Sequence, residues 1–234
     1  MLISAVQKFT LLDYPGKTSC IVFTPGCNFR CGYCHNPEFV LPEKIKEIKD
    51  SFIPEEIFFN FLDKRVGLLD GVVISGGEPT LMPDLENFIV KVKEKGFLVK
   101  LDTNGNRFDN LKNLVDKNLL DFIAMDIKTS LEEYKNVSGN LVNVEDVQKS
   151  IDFIKNCGVD YEFRTTMVKE LHTEEVVKKM LELLKGSKSF YLQQFRPRKI
   201  LKEEFSKYNS FSELEIEEIK KKFEKVVEKV GIRE

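Results

Sequence analysis

The sequence predicts an α/β protein, a partial (β/α)6 TIM-like barrel with parallel strands. Short apolar, β-branched runs alternate with helical periodicity along most of the 234 residues, the pattern of repeated βαβ units. Val72-Val73-Ile74 and Phe122-Ile123-Ala124-Met125 are continuously apolar, as expected of parallel strands covered on both faces. About six such units fall short of the eight that close a full barrel.

The elements follow in order. Ala5–Pro15 reads as a short N-terminal strand or hairpin. The barrel strands are expected at Cys20–Thr24, Gly71–Ser75, Leu98–Asp102, Phe122–Asp126, Tyr161–Met167 and Phe190–Gln194. Pro54 suits a first helical position, with Glu55 and Glu56 favourable against the positive end of the helix dipole. Leu85, Phe88, Ile89 and Val92 form one apolar stripe at helical spacing. Val144, Val147, Ile151 and Ile154 form a second, stopped by Gly158, and Val176, Val177, Met180, Leu181 and Leu184 a third. A capping box from Ser212 to Glu215 opens a last helix expected to bury Ile219, Phe223, Val226 and Val230. Repeats, low-complexity tracts and Pro/Gly-rich linkers are absent from the sequence. It reads as one domain over 1–234: an extension over 1–18, a barrel over 19–195, and a loop with docking helix over 196–234.

Composition narrows the function. Hydrophobic content of 42%, charged content of 32% and net charge −2 describe an ordinary globular protein without the basic face DNA binding requires. The N-terminus lacks the pattern of a signal peptide, and no apolar run reaches the ~18 residues of a membrane span. A cytoplasmic protein, free of membrane, is expected. Of five cysteines, three fall within Cys27–Cys34, which in a reducing compartment points to metal binding rather than disulfides.

The chemistry-bearing residues lie where predicted strands end. Cys27, Cys31 and Cys34 follow the first barrel strand in a C-x3-C-x2-C run. Three thiolates leave one coordination position open, where four would close an iron–sulfur or zinc site. With His35 the same cysteines have the spacing of a Cys3His zinc site, and His35 could equally be a solvent-facing loop residue. Gly76 and Gly77 allow close backbone approach after the second strand, and Glu78 either meets a ligand or braces the loop. Asp102, Thr103 and Asp126 offer hard oxygens that could hold a cation or cap the following turns. Lys128 and Arg164 could neutralise an anionic ligand, and Arg164 could pair with Asp126. In parallel arrays such strand ends share one mouth, where ligands bind. Cys20 and Cys157 read as packing residues and His172 as solvent-exposed. Gln193, Gln194, Arg196 and Arg198 could face a ligand or form a solvated loop.

Together Tyr14-Pro-Gly16, Cys27-Asn-Phe-Arg-Cys-Gly-Tyr-Cys-His-Asn-Pro37, Ser75-Gly-Gly-Glu-Pro79, Asp102-Thr-Asn-Gly105 and Asp126-Ile127-Lys128 resemble the radical S-adenosylmethionine (SAM) superfamily. Within it they resemble the activating enzymes of glycyl-radical enzymes, above all the activator of anaerobic ribonucleoside-triphosphate reductase. The resemblance spans the N-terminus to about Arg164. It implies a [4Fe–4S] cluster on Cys27, Cys31 and Cys34. The remaining iron would bind the amino and carboxylate groups of SAM. Reductive cleavage would yield a 5′-deoxyadenosyl radical able to take hydrogen from a glycine of a partner protein. It further implies SAM contacts at Tyr33, Cys34, His35, Gly76, Gly77, Glu78, Asp102, Asp126, Ile127, Lys128 and Arg164, with Tyr33 suited to adenine. A monovalent cation near Asp102 and Asp126, and a flavodoxin- or ferredoxin-type electron donor, are implied as well.

Two departures accompany the resemblance. The 42 residues between Cys34 and Gly77 contain no cysteine, so the inserted auxiliary clusters of several activators are not expected. Phe190–Gln194 lacks the histidine that some activators place near their last strand. A radical SAM enzyme acting on a small molecule or RNA is one competing reading. A non-catalytic iron–sulfur electron carrier or zinc-binding module is another.

Overall fold

The computed structural model describes residues 1–197 and 200–233. Among these residues eight strands run in chain order: β1 (Ala5–Thr10), β2 (Ser19–Thr24), β3 (Gly71–Gly76), β4 (Leu98–Thr103), β5 (Phe122–Asp126), β6 (Asp160–Met167), β7 (Ser189–Gln194) and β8 (Lys229–Arg233). They form one sheet in the order β1-β2-β3-β4-β5-β6-β7-β8. β1 pairs antiparallel with β2, and every later neighbour is parallel. The order is linear, so the sheet is a partial barrel. Among the described residues no helix is long and apolar enough to cross a membrane.

Strand alternation sorts the side chains into two layers. Cys20, Val22, Val72, Ile74, Val99, Leu101, Ile123, Met125 and Phe163 pack outward beneath the helices in the main core. There they meet buried stripes such as Leu85, Phe88, Ile89 and Val92 of the helix Leu85–Glu94. Each such side chain contributes roughly 1.5–3 kcal/mol on burial. The alternate positions face the barrel interior. At its floor Tyr14, Ile21 and Val73 form a separate apolar cluster with Phe23, Leu98 and Phe122. Tyr14 comes from the loop after β1, and its ring centroid lies 5.8 Å from that of Phe122.

The chain end departs from expectation. The capping box of Ser212 and Glu215 forms and the helix is Glu213–Phe223, but it stops before Val226, and Val230 lies in β8 rather than on a helix. The cause is tertiary. Arg233 forms a bidentate pair with buried Glu162 at 2.7 Å and 2.7 Å, and its guanidinium lies 3.7 Å from the centre of the Tyr191 ring. Gly231 fits because a Cβ there would come 2.6 Å from that ring. Pro54 also sits one position before its helix, Glu55–Asp63, rather than within it.

Candidate active site

The C-terminal ends of the parallel strands open onto a cavity of about 250 Å³. Cys27, Cys31, Tyr33, Cys34 and His35 line it from the loop after β2, and Gly76, Gly77 and Glu78 from the end of β3. Asp102, Asp126, Lys128 and Arg164 complete its wall. Ile127 does not line it. Its side chain is fully buried because strand alternation turns it outward between Asp126 and Lys128. Its side chain belongs to the core, so any cofactor contact at this position would be made by its backbone.

The cysteine loop is held by backbone. The Gly77 N–H donates to the Thr24 carbonyl at 2.8 Å, and the Glu78 N–H to the Gly26 carbonyl at 2.7 Å. A Cβ on Gly77 would stand 2.0 Å from the Gly26 oxygen, and one on Gly76 2.3 Å from the Thr24 nitrogen. The two glycines thus let one motif loop close against the other. Glu78 braces the same assembly. Its buried carboxylate accepts from Thr80 Oγ1 at 2.5 Å, Thr103 Oγ1 at 2.8 Å and the Asn104 N–H at 2.7 Å. Burial raises its pKa, opposed by the hydrogen bonds from Thr80, Asn104 and Thr103.

Burial likewise pushes the Cys27 thiol up to about 12 and raises Cys34. Such thiols become good ligands when a metal replaces the proton. Cys27 Sγ accepts the Phe29 N–H at 3.3 Å, and Asn104 Nδ2 lies 3.9 Å from it while bonding Asn28 Oδ1 at 2.9 Å. Cys31 Sγ lies 3.4 Å from Ser138 Oγ. A single-ion site needs its donors gathered about one point, and among the described residues no three His, Cys, Asp or Glu side chains are so gathered. His35 Nε2 instead lies 3.0 Å from the Arg196 carbonyl oxygen, its ring stacked on Phe195.

Opposite the cysteines stands a charge network. Arg164 Nε donates to Asp126 Oδ1 at 2.9 Å and Arg164 Nη1 to Asp102 Oδ2 at 3.5 Å. Lys128 Nζ pairs with Asp126 at 3.1 Å, Lys100 pairs with Asp102, and Ser75 Oγ donates to Asp102 at 3.0 Å. Burial alone would raise the Asp126 pKa. Arg164 first, then Lys128, outweigh it and hold it at about 2. Asp102 is lowered against the same burial by Arg164 and Lys100. Asp126 raises Lys128 against desolvation. The oxygens expected to hold a cation thus already face three cations of the chain itself.

Three further residues complete the account. Lys100 is fully buried; the signal for it was a lone lysine two positions before Asp102 in an apolar strand. Asn104 reaches the cysteine loop from within the Asp102–Gly105 motif. His172 is 2% exposed, not solvent-facing, because its ring nitrogens meet backbone groups of Val168 and Lys128. Gln193 lines the cavity, Gln194 bonds the Phe211 carbonyl, and Arg198 lies outside the described residues.

A parallel partial barrel carrying three loop cysteines and a two-signed charged wall at its strand ends defines an enzyme built to hold a cofactor. The profile of the radical SAM superfamily matches residues 21–184, and the chain belongs to that superfamily. The family implies a [4Fe–4S] cluster and SAM. A protein of Methanocaldococcus jannaschii, MJ1227, named provisionally as a glycyl-radical enzyme activating enzyme, is 37% identical over 237 residues, covering 99% of this chain and 95% of its own. The pyruvate formate-lyase-activating enzyme of Clostridium pasteurianum is 30% identical over 79% of this chain and 76% of its own. A domain of pyruvate-formate lyase-activating enzyme from Bacteroides vulgatus aligns with TM-score 0.57 at 18% identity, over 70% of this chain and 99% of that one. SuiB of Streptococcus suis aligns with TM-score 0.67 at 14% identity, over 92% of this chain and 49% of that one. At these identities the two structures speak for the fold alone.

Proposed function

We propose that the chain activates a glycyl-radical enzyme, holding a [4Fe–4S] cluster on Cys27, Cys31 and Cys34 with SAM beside it. The observation that carries this reading is the near full-length similarity to MJ1227, joined to three cysteines that line one cavity. The residues fit the cofactors. The Phe29 N–H and Asn104 amide face the Cys27 sulfur, as donors to ligand sulfurs do. The buried Tyr33 hydroxyl has no partner within the described chain, leaving a polar atom for the adenosyl group.

When bound and reduced, the cluster supplies the electron that cleaves a carbon–sulfur bond of SAM. The chain's part is placement. Asp126 is the most open group of the charged wall, with 30% of its side chain exposed, and Lys128 lines the cavity beside it. Asp126 would meet the amino group of SAM and Lys128 its carboxylate. Asp102 and Arg164 fix that pair, and Glu78 fixes the loops. Lys100, Lys128 and Arg164 keep the place that a monovalent cation would need. The partner is a protein of the anaerobic ribonucleotide reductase or pyruvate formate-lyase type, with a flavodoxin- or ferredoxin-type electron donor.

The test is anaerobic. Iron–sulfide-reconstituted protein, given a strong reductant and SAM, should produce 5′-deoxyadenosine, and Cys31→Ala should not. Added to either partner type, it should leave a glycyl-radical EPR signal on the one it serves. Uptake of zinc but never iron would defeat the reading.

A further inference from the structure

We propose that Tyr134 and His172 form a clamp on the Lys128 peptide that sets where the Lys128 ammonium stands in the cavity. The proposal rests on the reading of Lys128 as a SAM contact. β5 ends at Asp126, so Lys128 lies beyond the last regular rung of the sheet. The preceding peptide is still tied to β6: the Ile127 N–H donates to the Arg164 carbonyl at 2.7 Å, and Thr165 Oγ1 to the Ile127 carbonyl at 2.7 Å. One residue further on, side chains take over. The Lys128 N–H donates to the Tyr134 hydroxyl at 3.1 Å, and His172 Nε2 lies 3.1 Å from the Lys128 carbonyl oxygen.

One neutral tautomer uses both nitrogens of that ring. With the proton on Nε2, the ring donates to the Lys128 carbonyl at 3.1 Å, while Nδ1, which also lies 3.0 Å from the Val168 carbonyl oxygen, accepts the Val168 N–H at 3.0 Å. Burial lowers the His172 pKa, favouring this neutral form. Both side chains are buried, Tyr134 at 0% and His172 at 2% exposure, and neither lines the cavity. They therefore act through Lys128 and are positioning residues. Phe29, which does line the cavity, packs edge-on against the Tyr134 ring, so the clamp abuts the cysteine loop as well.

Lys128 has the longer task of the two groups proposed to meet SAM. Asp126 is oriented directly by Arg164 Nε at 2.9 Å, whereas Lys128 carries a four-carbon stem whose ammonium, among the described residues, pairs with Asp126. A flexible stem places its charge reproducibly only if its root is fixed. A peptide bonded on both N–H and C=O is a fixed root.

The test uses the full chain, cluster-loaded, with SAM binding measured by equilibrium dialysis beside iron content and thermal unfolding. Tyr134→Phe and His172→Leu should each weaken SAM binding about tenfold, the scale of one buried hydrogen bond, with iron content unchanged. His172→Gln, whose amide can donate to the Lys128 carbonyl, should recover most of the loss. In a Lys128→Met background neither variant should weaken binding further. In the metal-free protein Tyr134→Phe should speed hydrogen exchange at the Lys128 amide while leaving the amides of β5 protected. Wild-type SAM affinity in Tyr134→Phe, or a loss that adds to that of Lys128→Met, overturns the clamp and leaves the reading of Lys128 standing. Wild-type affinity in Lys128→Met overturns that reading and the clamp with it. Should His172→Leu fail to fold, Tyr134→Phe decides, because it keeps the ring.

Discussion

The floor and the mouth of the barrel use the same inward-facing strand positions for opposite chemistry. On β4 the inward series runs Leu98, Lys100, Asp102, and on β5 it runs Phe122, Ala124, Asp126. At the floor Leu98 and Phe122 join Tyr14, Ile21 and Val73 in an apolar plug, where stabilisation follows buried area and asks little of geometry. At the mouth two carboxylates share three cations in a partly buried network. Taking charges out of water is costly, and such networks are poor stabilisers compared with apolar packing. The floor therefore holds the protein together, and the mouth is maintained for chemistry.

Gly77→Ala should have the largest effect on that contrast. Its Cβ would meet the Gly26 carbonyl oxygen at 2.0 Å, a backbone atom without freedom to retreat. Loss of stability above about 4 kcal/mol and failure to load iron are expected, read by denaturant unfolding and iron assay. A well-folded, iron-loaded Gly77→Ala protein would show that the two loops are not joined as described.

At the floor, Tyr14→Ala should cost about 3–5 kcal/mol, as for other large aromatic truncations. SAM affinity should stay within about twofold of wild type, since the plug does not line the cavity and separate sites act independently. A large change in affinity with little change in stability would reverse the roles of the two ends.

The smallest effect is a pH dependence at the mouth. The folded pKa of Asp126 is about 2, below the ordinary value of about 3.9. A depressed carboxylate stabilises the fold above its unfolded pKa, and the contribution is lost as pH falls through the folded one. Asp126→Asn should therefore be less stable than wild type by roughly 2 kcal/mol between about pH 5 and 8, the gap closing from about pH 4 to 2. Urea unfolding across that range measures it. A gap that stays constant with pH would mean that packing, not charge, ties Asp126 to the wall.

Most of the sheet was legible because period and position coincide. Val72–Ile74 and Phe122–Met125 are apolar throughout, and the charged residues that follow them mark the cavity rim. β8 was not legible. Val226 and Val230 stand four apart among lysines and glutamates, which satisfies a helical pattern, while the features that make a strand of it are the distant Glu162 and Tyr191. The cavity shows the same division. Cysteines, glycines and strand-end acids announce themselves by spacing, so the structure brings Cys27, Gly77, Asp102 and Asp126 together as expected. His172 was misplaced because its partners are backbone groups of Val168 and Lys128, which no residue type reveals. Ile127 was grouped with the cavity by its neighbours in a motif, while its side chain lies buried in the core.

The linear strand order gives the site a direction in time. Cys27, Cys31 and Cys34 follow β2, whereas Arg164, which anchors the opposite wall, arrives on β6. At translation rates of about 5–20 residues per second, the thiols emerge on the order of ten seconds before the wall that will face them. For that interval the nascent chain carries three sulfurs on an unfinished sheet, without the wall that will later face them.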